Sequence, residues 1–300
     1  MKKHNKLLLG LNVILIIFSL SIVLFSCKTI PQTNKIQALD LLDNQSGFYI
    51  AVPKNADIVL LKRVLQNNAD QLSEKDIDTI LERIDRVYLG LNRSRKNTSV
   101  QLAIDGNIPS QFIPKILNKK RGWESSAFTP ESSNRSYQIY RNQDLALSFP
   151  SSSIACSGRD LEKMLSTYDS YLNVTEAVDR LTSDSSLEND AYDYLLNAAD
   201  EIRFFANKPQ SFLTILTGTS LDLKLLDVYG SFRTDPDFEN QYLLNFKFDF
   251  KNEKYLKAGK VLLKLAFGLT NSEMENPSSN ELIIKNIHIS KEQVYKIFVL

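Results

Sequence analysis

Two cysteines, two histidines and 35 aspartates and glutamates are the side chains from which this 300-residue chain could build a reaction centre. Cys156 lies in the stretch SSSIACSG. A catalytic thiol needs a base or a cation to hold it as thiolate. His4 belongs to the extreme N-terminus, so His288, in an apolar alternating run, is the remaining histidine that could serve. A free cysteine among small and apolar residues packs as a small hydrophobe, and Cys156 is expected to be a buried strand thiol that takes part in no disulfide. A lone body histidine argues against a His-rich zinc site. The chain has no GxxxxGK[ST] or GxGxxG phosphate loop, no GxSxG elbow and no HExxH pair. Glu188, Asp190 and Asp193 cluster ahead of an apolar helical pattern, where the helix macrodipole favours acids without any catalytic purpose. The expectation is a non-enzymatic protein with no catalytic set, no metal and no cofactor. An envelope hydrolase working through scattered carboxylates is the rival.

Cys27 is a different matter, because its chemistry is set by what precedes it. Lys2, Lys3 and Lys6 lead into an apolar run from Leu7 to Phe25, followed by Ser26 and Cys27. A positive leader and an apolar core make a secretory signal. The last four residues, Leu24, Phe25, Ser26 and Cys27, resemble the lipobox of bacterial lipoproteins in the loose form seen in spirochaetes. That resemblance implies that the leader, residues 1–26, is removed and that the Cys27 thiol is diacylglycerylated. The alternative is an uncleaved membrane anchor, since the core approaches the roughly 20 residues that span a bilayer. Residues 27–46, with Pro31, Gln32, Thr33 and Asn34, read as a tether. Without the leader's three lysines, Lys plus Arg falls from 36 to 33 against 35 acids, a net charge near −2. Nucleic acid as a partner is excluded on that balance.

The elements that would carry any site form an α+β pattern. In residues 47–158, GFYIAVP reads as a strand and residues 57–72 as a helix. SEKDIDTILERID is a second helix, with Ser73 as cap and Asp76 three residues on. RVYLGLN and SVQLAIDG form a hairpin across RSRKN, a short helix follows from Pro109 to Lys120, and SYQIYRN, LALSFPS and IACSG are strands. Residues 159–200 read as a helical connector. Residues 201–300 repeat the order: EIRFFAN as a strand, PQSFLTILTG as a helix, and LLDVYGSFRT paired with QYLLNFKFDF. The helix EKYLKAGKVLLKLAFGLT follows, then ELIIKNIHIS and QVYKIFVL as two closing strands. Leu244, Phe246, Phe248 and Phe250 alternate with Asn245, Lys247 and Asp249, one face inward and one outward. The expected fold is two tandem ferredoxin-like modules of β-α-β-β-α-β type with antiparallel sheets.

One helix rises above this background. Lys254, Lys257, Lys260 and Lys264 recur at three- and four-residue spacing, while Tyr255, Ala258, Val261, Leu262, Leu263, Leu265, Ala266, Phe267 and Leu269 make a wide apolar arc. Such a helix either lies in a membrane interface or packs on its own sheet with lysines snorkelling at the margin. A lipidated α/β body with amphipathic helices resembles the treponemal outer-membrane lipoproteins, and the resemblance implies lipid binding and association with the inner leaflet. The functional expectation is a membrane-anchored, non-catalytic envelope protein, held through acyl chains and binding an amphipathic lipid or an envelope protein. A purely structural subunit that binds through a sheet edge is the alternative.

Overall fold

The computed structural model describes residues 36–43, 46–68, 72–93, 98–131, 133–173, 187, 189–217, 221–269 and 273–298. The leader, Cys27, and the first part of the tether lie outside them. The strands are β1 (Phe48–Pro53), β2 (Ile84–Arg93), β3 (Thr98–Gly106), β4 (Glu124–Phe128), β5 (Tyr137–Asn142), β6 (Leu145–Ser151), β7 (Ile154–Gly158), β8 (Ile202–Ala206), β9 (Leu225–Thr234), β10 (Gln241–Phe250), β11 (Glu273–Glu275) and β12 (Glu281–Ser290). The helices are α1 (Ile58–Asn68), α2 (Glu74–Arg83), α3 (Ile113–Ile116), α4 (Leu161–Asn173), α5 (Asn189–Leu196), α6 (Pro209–Thr217), α7 (Glu253–Phe267) and α8 (Lys291–Tyr295).

All six residues of β1 are buried, as in a strand covered on both faces. It pairs antiparallel with β2, Ile50 opposite Leu89, and with β8, Ile50 opposite Phe204. That second pairing joins the two halves of the chain. One 12-stranded sheet results, in the order β11-β12-β10-β9-β8-β1-β2-β3-β7-β6-β5-β4. The expected pair of ferredoxin-like modules is therefore corrected. A ferredoxin-like unit sets its helix-linked strands parallel, with another strand between them. Here β1 and β2 are antiparallel neighbours although two helices separate them in sequence, and β8 and β9 are likewise neighbours across α6. The repeated element order survives as two arms of one sheet, β1-β2-β3-β7 running outward one way and β8-β9-β10-β12 the other.

Both faces of the centre are clad. On one, Phe48, Ile50, Leu89, Phe204, Phe232, Phe246 and Phe248 pack under residues of α1, α2, α6, α7 and α8. On the other, Tyr49, Ala51, Tyr88, Phe205 and Cys156 lie under α4 and α5 and a 3-10 turn at Ala38–Leu41. Ile36, Ala38, Leu39, Leu41 and Leu42 are buried there, so the tether expected to run to residue 46 gives way to core at Ile36. The stretch 159–200, expected as a connector, likewise supplies α4 and α5 to this layer, with Leu161, Met164, Leu165, Ala191 and Leu195 buried. The closing segment QVYKIFVL, read as a strand, begins inside α8: Ser290 accepts from the Gln293 N–H and Gln293 reaches back to Ser290, a capping box. Strands β4 and β11 are additional to the strands that the sequence pattern predicts.

Local signals explain much of the rest. Ser73 and Asp76 form the expected capping box of α2. Pro114 sits in the first turn of α3, where its missing N–H costs no helical bond. Gly122, at φ 78°, ends the following 3-10 turn in the left-handed region that glycine enters freely. Cys156 lies on β7 with 1% of its surface exposed, and burial pushes its thiol up to about 12. In the native protein it should react with a thiol reagent at least a hundredfold more slowly than after denaturation. Equal rates in the two states would show that β7 is not buried.

Candidate membrane-facing site

Helix α7 is built to stop cleanly at both ends. The Asn252 side chain accepts from the Tyr255 N–H at 3.2 Å, a cap for an otherwise orphan donor. Gly268 takes the left-handed conformation after the last turn, and the Leu269 N–H returns to the Lys264 carbonyl at 3.0 Å, the Schellman closure. Contact with the sheet is narrow. Leu256, Gly259 and Leu263 are buried and Phe267 is half-buried, its ring 5.5 Å from that of Phe246. Gly259 sets the closeness of this approach, because a Cβ there would stand 2.3 Å from Phe250 Cε1.

The wide apolar arc is only partly consumed by that contact. Val261 is 59% exposed and Leu265 is 76% exposed, and Tyr255, Ala258, Leu262 and Ala266 also face outward. With 3.6 residues per turn, these six fall on the flank of α7 beyond its buried stripe. Lys257, Lys260 and Lys264 fall on the opposite flank, and Lys254 stands in the first turn among the exposed apolar residues. Lys257 pairs with Glu253 at 2.7 Å and Lys260 donates to Asn276 at 3.0 Å. Three of the four lysines thus share one flank, and Lys254 stands apart from them.

A second outward-facing apolar pair, Ile58 and Val59, opens α1, although the spacing of Ile58 with Leu61, Val64 and Leu65 places it on the helix's apolar stripe. Its position is fixed by Asp57, which accepts from the Leu60 N–H at 2.9 Å and the Tyr242 hydroxyl at 2.7 Å and pairs with Lys291 at 3.2 Å. Burial acts to raise the Asp57 carboxyl, but these donors and the Lys291 charge outweigh it and hold it below its ordinary value. Arg63 then binds α1 to α8, with its guanidinium 3.6 Å from the Tyr295 ring centroid and 2.6 Å from Glu292.

Glu188 lies outside the described residues, and among these the Cys156 thiol, the His288 imidazole and the Asp190 carboxylate do not converge. His288 faces solvent on β12 with Nδ1 2.8 Å from Asp235, while Cys156 lies on β7, with six strands between them. Asp190 joins Tyr194, Tyr229, Asn245, Lys247 and Ile283 around an open cleft of about 430 Å³. Its walls mix charges with apolar groups, unlike the closed apolar chamber that a lipid carrier would need. Among the described residues no group of His, Cys, Asp and Glu could hold a metal ion, and no helix is long and apolar enough to cross a membrane.

The structure is thus an α+β protein built on one clad antiparallel sheet, with an amphipathic helix whose apolar flank faces outward. The family model described as "Outer membrane-associated lipoprotein TP0453" matches residues 33–295. The chain belongs to that family, a treponemal one, and is associated with the outer membrane of the envelope. Crystal forms I and III of TP0453 superpose with a TM-score of 0.62 at 20% and 19% identity, covering 89% of this chain and 98% and 99% of theirs. Crystal form IV gives 0.59 at 17% identity. At such identities the likeness is one of fold. No curated protein matches the chain.

Proposed function

We propose that acyl chains on Cys27 hold the chain in the outer membrane and that α7 seats the body on the lipid surface. In this arrangement the outward flank of α7 lies at the boundary between headgroups and acyl chains. The observation that carries this is the exposure of Val261, Leu262 and Leu265 on a helix whose buried stripe is already satisfied by the sheet. Fully burying an aliphatic side chain contributes about 1.5–3 kcal/mol. A lysine near an anionic leaflet adds about 1 kcal/mol. The net charge of the body, near −2 without the leader, opposes the lysines, so the apolar flank must carry most of the α7 contribution.

Flotation of residues 28–300 with vesicles tests the reading. The body should float with both neutral and anionic vesicles. Changing Lys254, Lys257, Lys260 and Lys264 together to Gln should weaken binding to the anionic set on the order of tenfold or more and leave the neutral set nearly unchanged. Absence of binding to either set, with the outward flank of α7 equally protected from solvent with and without lipid, would reject the proposal.

A further inference from the structure

The sheet is open, and its two edges are treated differently. At one end β11 is three residues long and carries Glu273 and Glu275, the short charged form by which proteins keep an edge from pairing. At the other end β4 has no such protection. Glu124, Ser125, Ser126 and Ala127 are all exposed, so both faces of these four residues are in water, while Phe128 is half-buried against the core. Its five residues hold continuous antiparallel register with β5, without a bulge. There is no lysine and no proline in ESSAF, and only Glu124 carries charge. Arg141 of β5 donates to Ser126 Oγ at 3.0 Å, tying the edge to its neighbour in extended form.

We propose that β4 is an assembly edge at which two copies of this chain join, β4 to β4, antiparallel about Ser126. The strand is complementary to itself in that register. Ser126 meets Ser126 of the partner, Ser125 meets the partner's Ala127, and Glu124 meets the partner's Phe128. Small side chains stand at the centre, and each acid stands opposite an aromatic ring. The two glutamates end up about 14 Å apart at 3.4 Å per residue, beyond the roughly 8–10 Å over which charges interact in physiological salt. A five-residue edge hides only a few hundred Å², well below the ~1,000 Å² of a stable soluble interface. Joining is therefore weak in dilute solution and becomes appreciable where copies are crowded on one surface. This last step rests on the membrane-anchoring reading above, because anchored copies present the same edge at the same height.

Two cysteine variants of the full acylated chain on vesicles, Ser126→Cys and Ser125→Cys, test the register under copper–phenanthroline oxidation. Directly opposed side chains have Cβ atoms about 4.5–5.5 Å apart, close to disulfide reach. In this register the two Ser125 positions are roughly 8 Å apart, beyond that reach. Ser126→Cys should give at least fivefold more disulfide dimer than Ser125→Cys, and adding Ala127→Lys should suppress it while the melting curve stays unchanged. Equal yields from the two variants, or no dimer on densely loaded vesicles, would overturn the edge proposal. Flotation of the same samples reports anchoring separately. Should the protein fail to float, anchoring is rejected, and the same crosslink at millimolar protein in solution decides the edge, its absence there counting against it.

Discussion

Cys27→Ala should leave the chain as an unprocessed precursor that incorporates no labelled fatty acid. The thiol is the only group at the end of the leader that could form the thioether to a diacylglyceryl unit, and alanine has nothing to offer in its place. The readout has to be acylation and gel mobility, because an uncleaved leader keeps its apolar run, Leu7–Phe25, and stays in a membrane by that means alone. Energetically the anchor outweighs everything else proposed for lipid contact. Each buried methylene contributes about 0.8 kcal/mol, and two acyl chains suffice for stable attachment where one is marginal. The α7 flank adds a few kcal/mol at most. If Cys27→Ala incorporates label as the parent does, or if the parent incorporates none, the acyl anchor is wrong and an uncleaved span takes its place.

Sequence patterns revealed the elements better than their neighbours. The Ser73–Asp76 cap, the β10 alternation and the start of α7 follow from signals a few residues apart and are present in the structure, whereas α7 stops at Phe267, three residues short of the expected Thr270, where Gly268 turns left-handed. Strand adjacency is not local. Nothing in GFYIAVP states that it will lie between β2 and β8, and a β-α-β-β order is compatible with either a split ferredoxin-like unit or the antiparallel arm seen here. The closing segment failed for a related reason. Val294, Tyr295, Ile297 and Phe298 have strand-like composition, but Ser290 and Gln293 supply a helix start, and the cap decided the outcome. The burial of Ile36–Leu42 was obscured because apolar residues there alternate with Gln37 and Asp40 over too short a run to show a period.

The candidate site was half legible. A wide apolar arc and a row of lysines are visible in the α7 sequence, yet periodicity cannot say how much of an arc a neighbour covers. That is set by Gly259 against Phe250, a contact between a helix and a strand that precedes it. Because glycine lets the helix settle on one ring, the buried stripe is narrow and the remaining flank faces outward. The exposure of Ile58 and Val59 was hidden in the same way, since it depends on Asp57 being held by Tyr242 and Lys291, residues far along the chain.

Phe204→Ala tests the central claim about the fold, that the two arms are one cooperative body. Phe204 stands on β8, beside the junction with β1. Its ring centroid lies 4.7 Å from that of Phe212, 5.1 Å from Phe232, 5.8 Å from Phe246 and 5.9 Å from Phe48 on β1. Gly230 makes room for it, since a Cβ at that position would stand 2.2 Å from Phe204 Cζ. Truncation removes a fully buried ring from a site walled by other rings and the sheet backbone, so little collapse can fill the void, and the cost should be about 3–5 kcal/mol. For a body of this size that lowers the melting temperature on the order of 10 °C. The sole tryptophan, Trp123, is buried in the other arm beside Ile108, Ile113 and Ile116, and its fluorescence reports that arm alone. In one continuous sheet the Trp123 transition should fall by the same amount as the circular dichroism transition, and the two should coincide. In two independent modules the change at Phe204 would leave the Trp123 transition where it was. A split of more than a few degrees between the probes would mean that the β1–β8 pairing does not couple the arms.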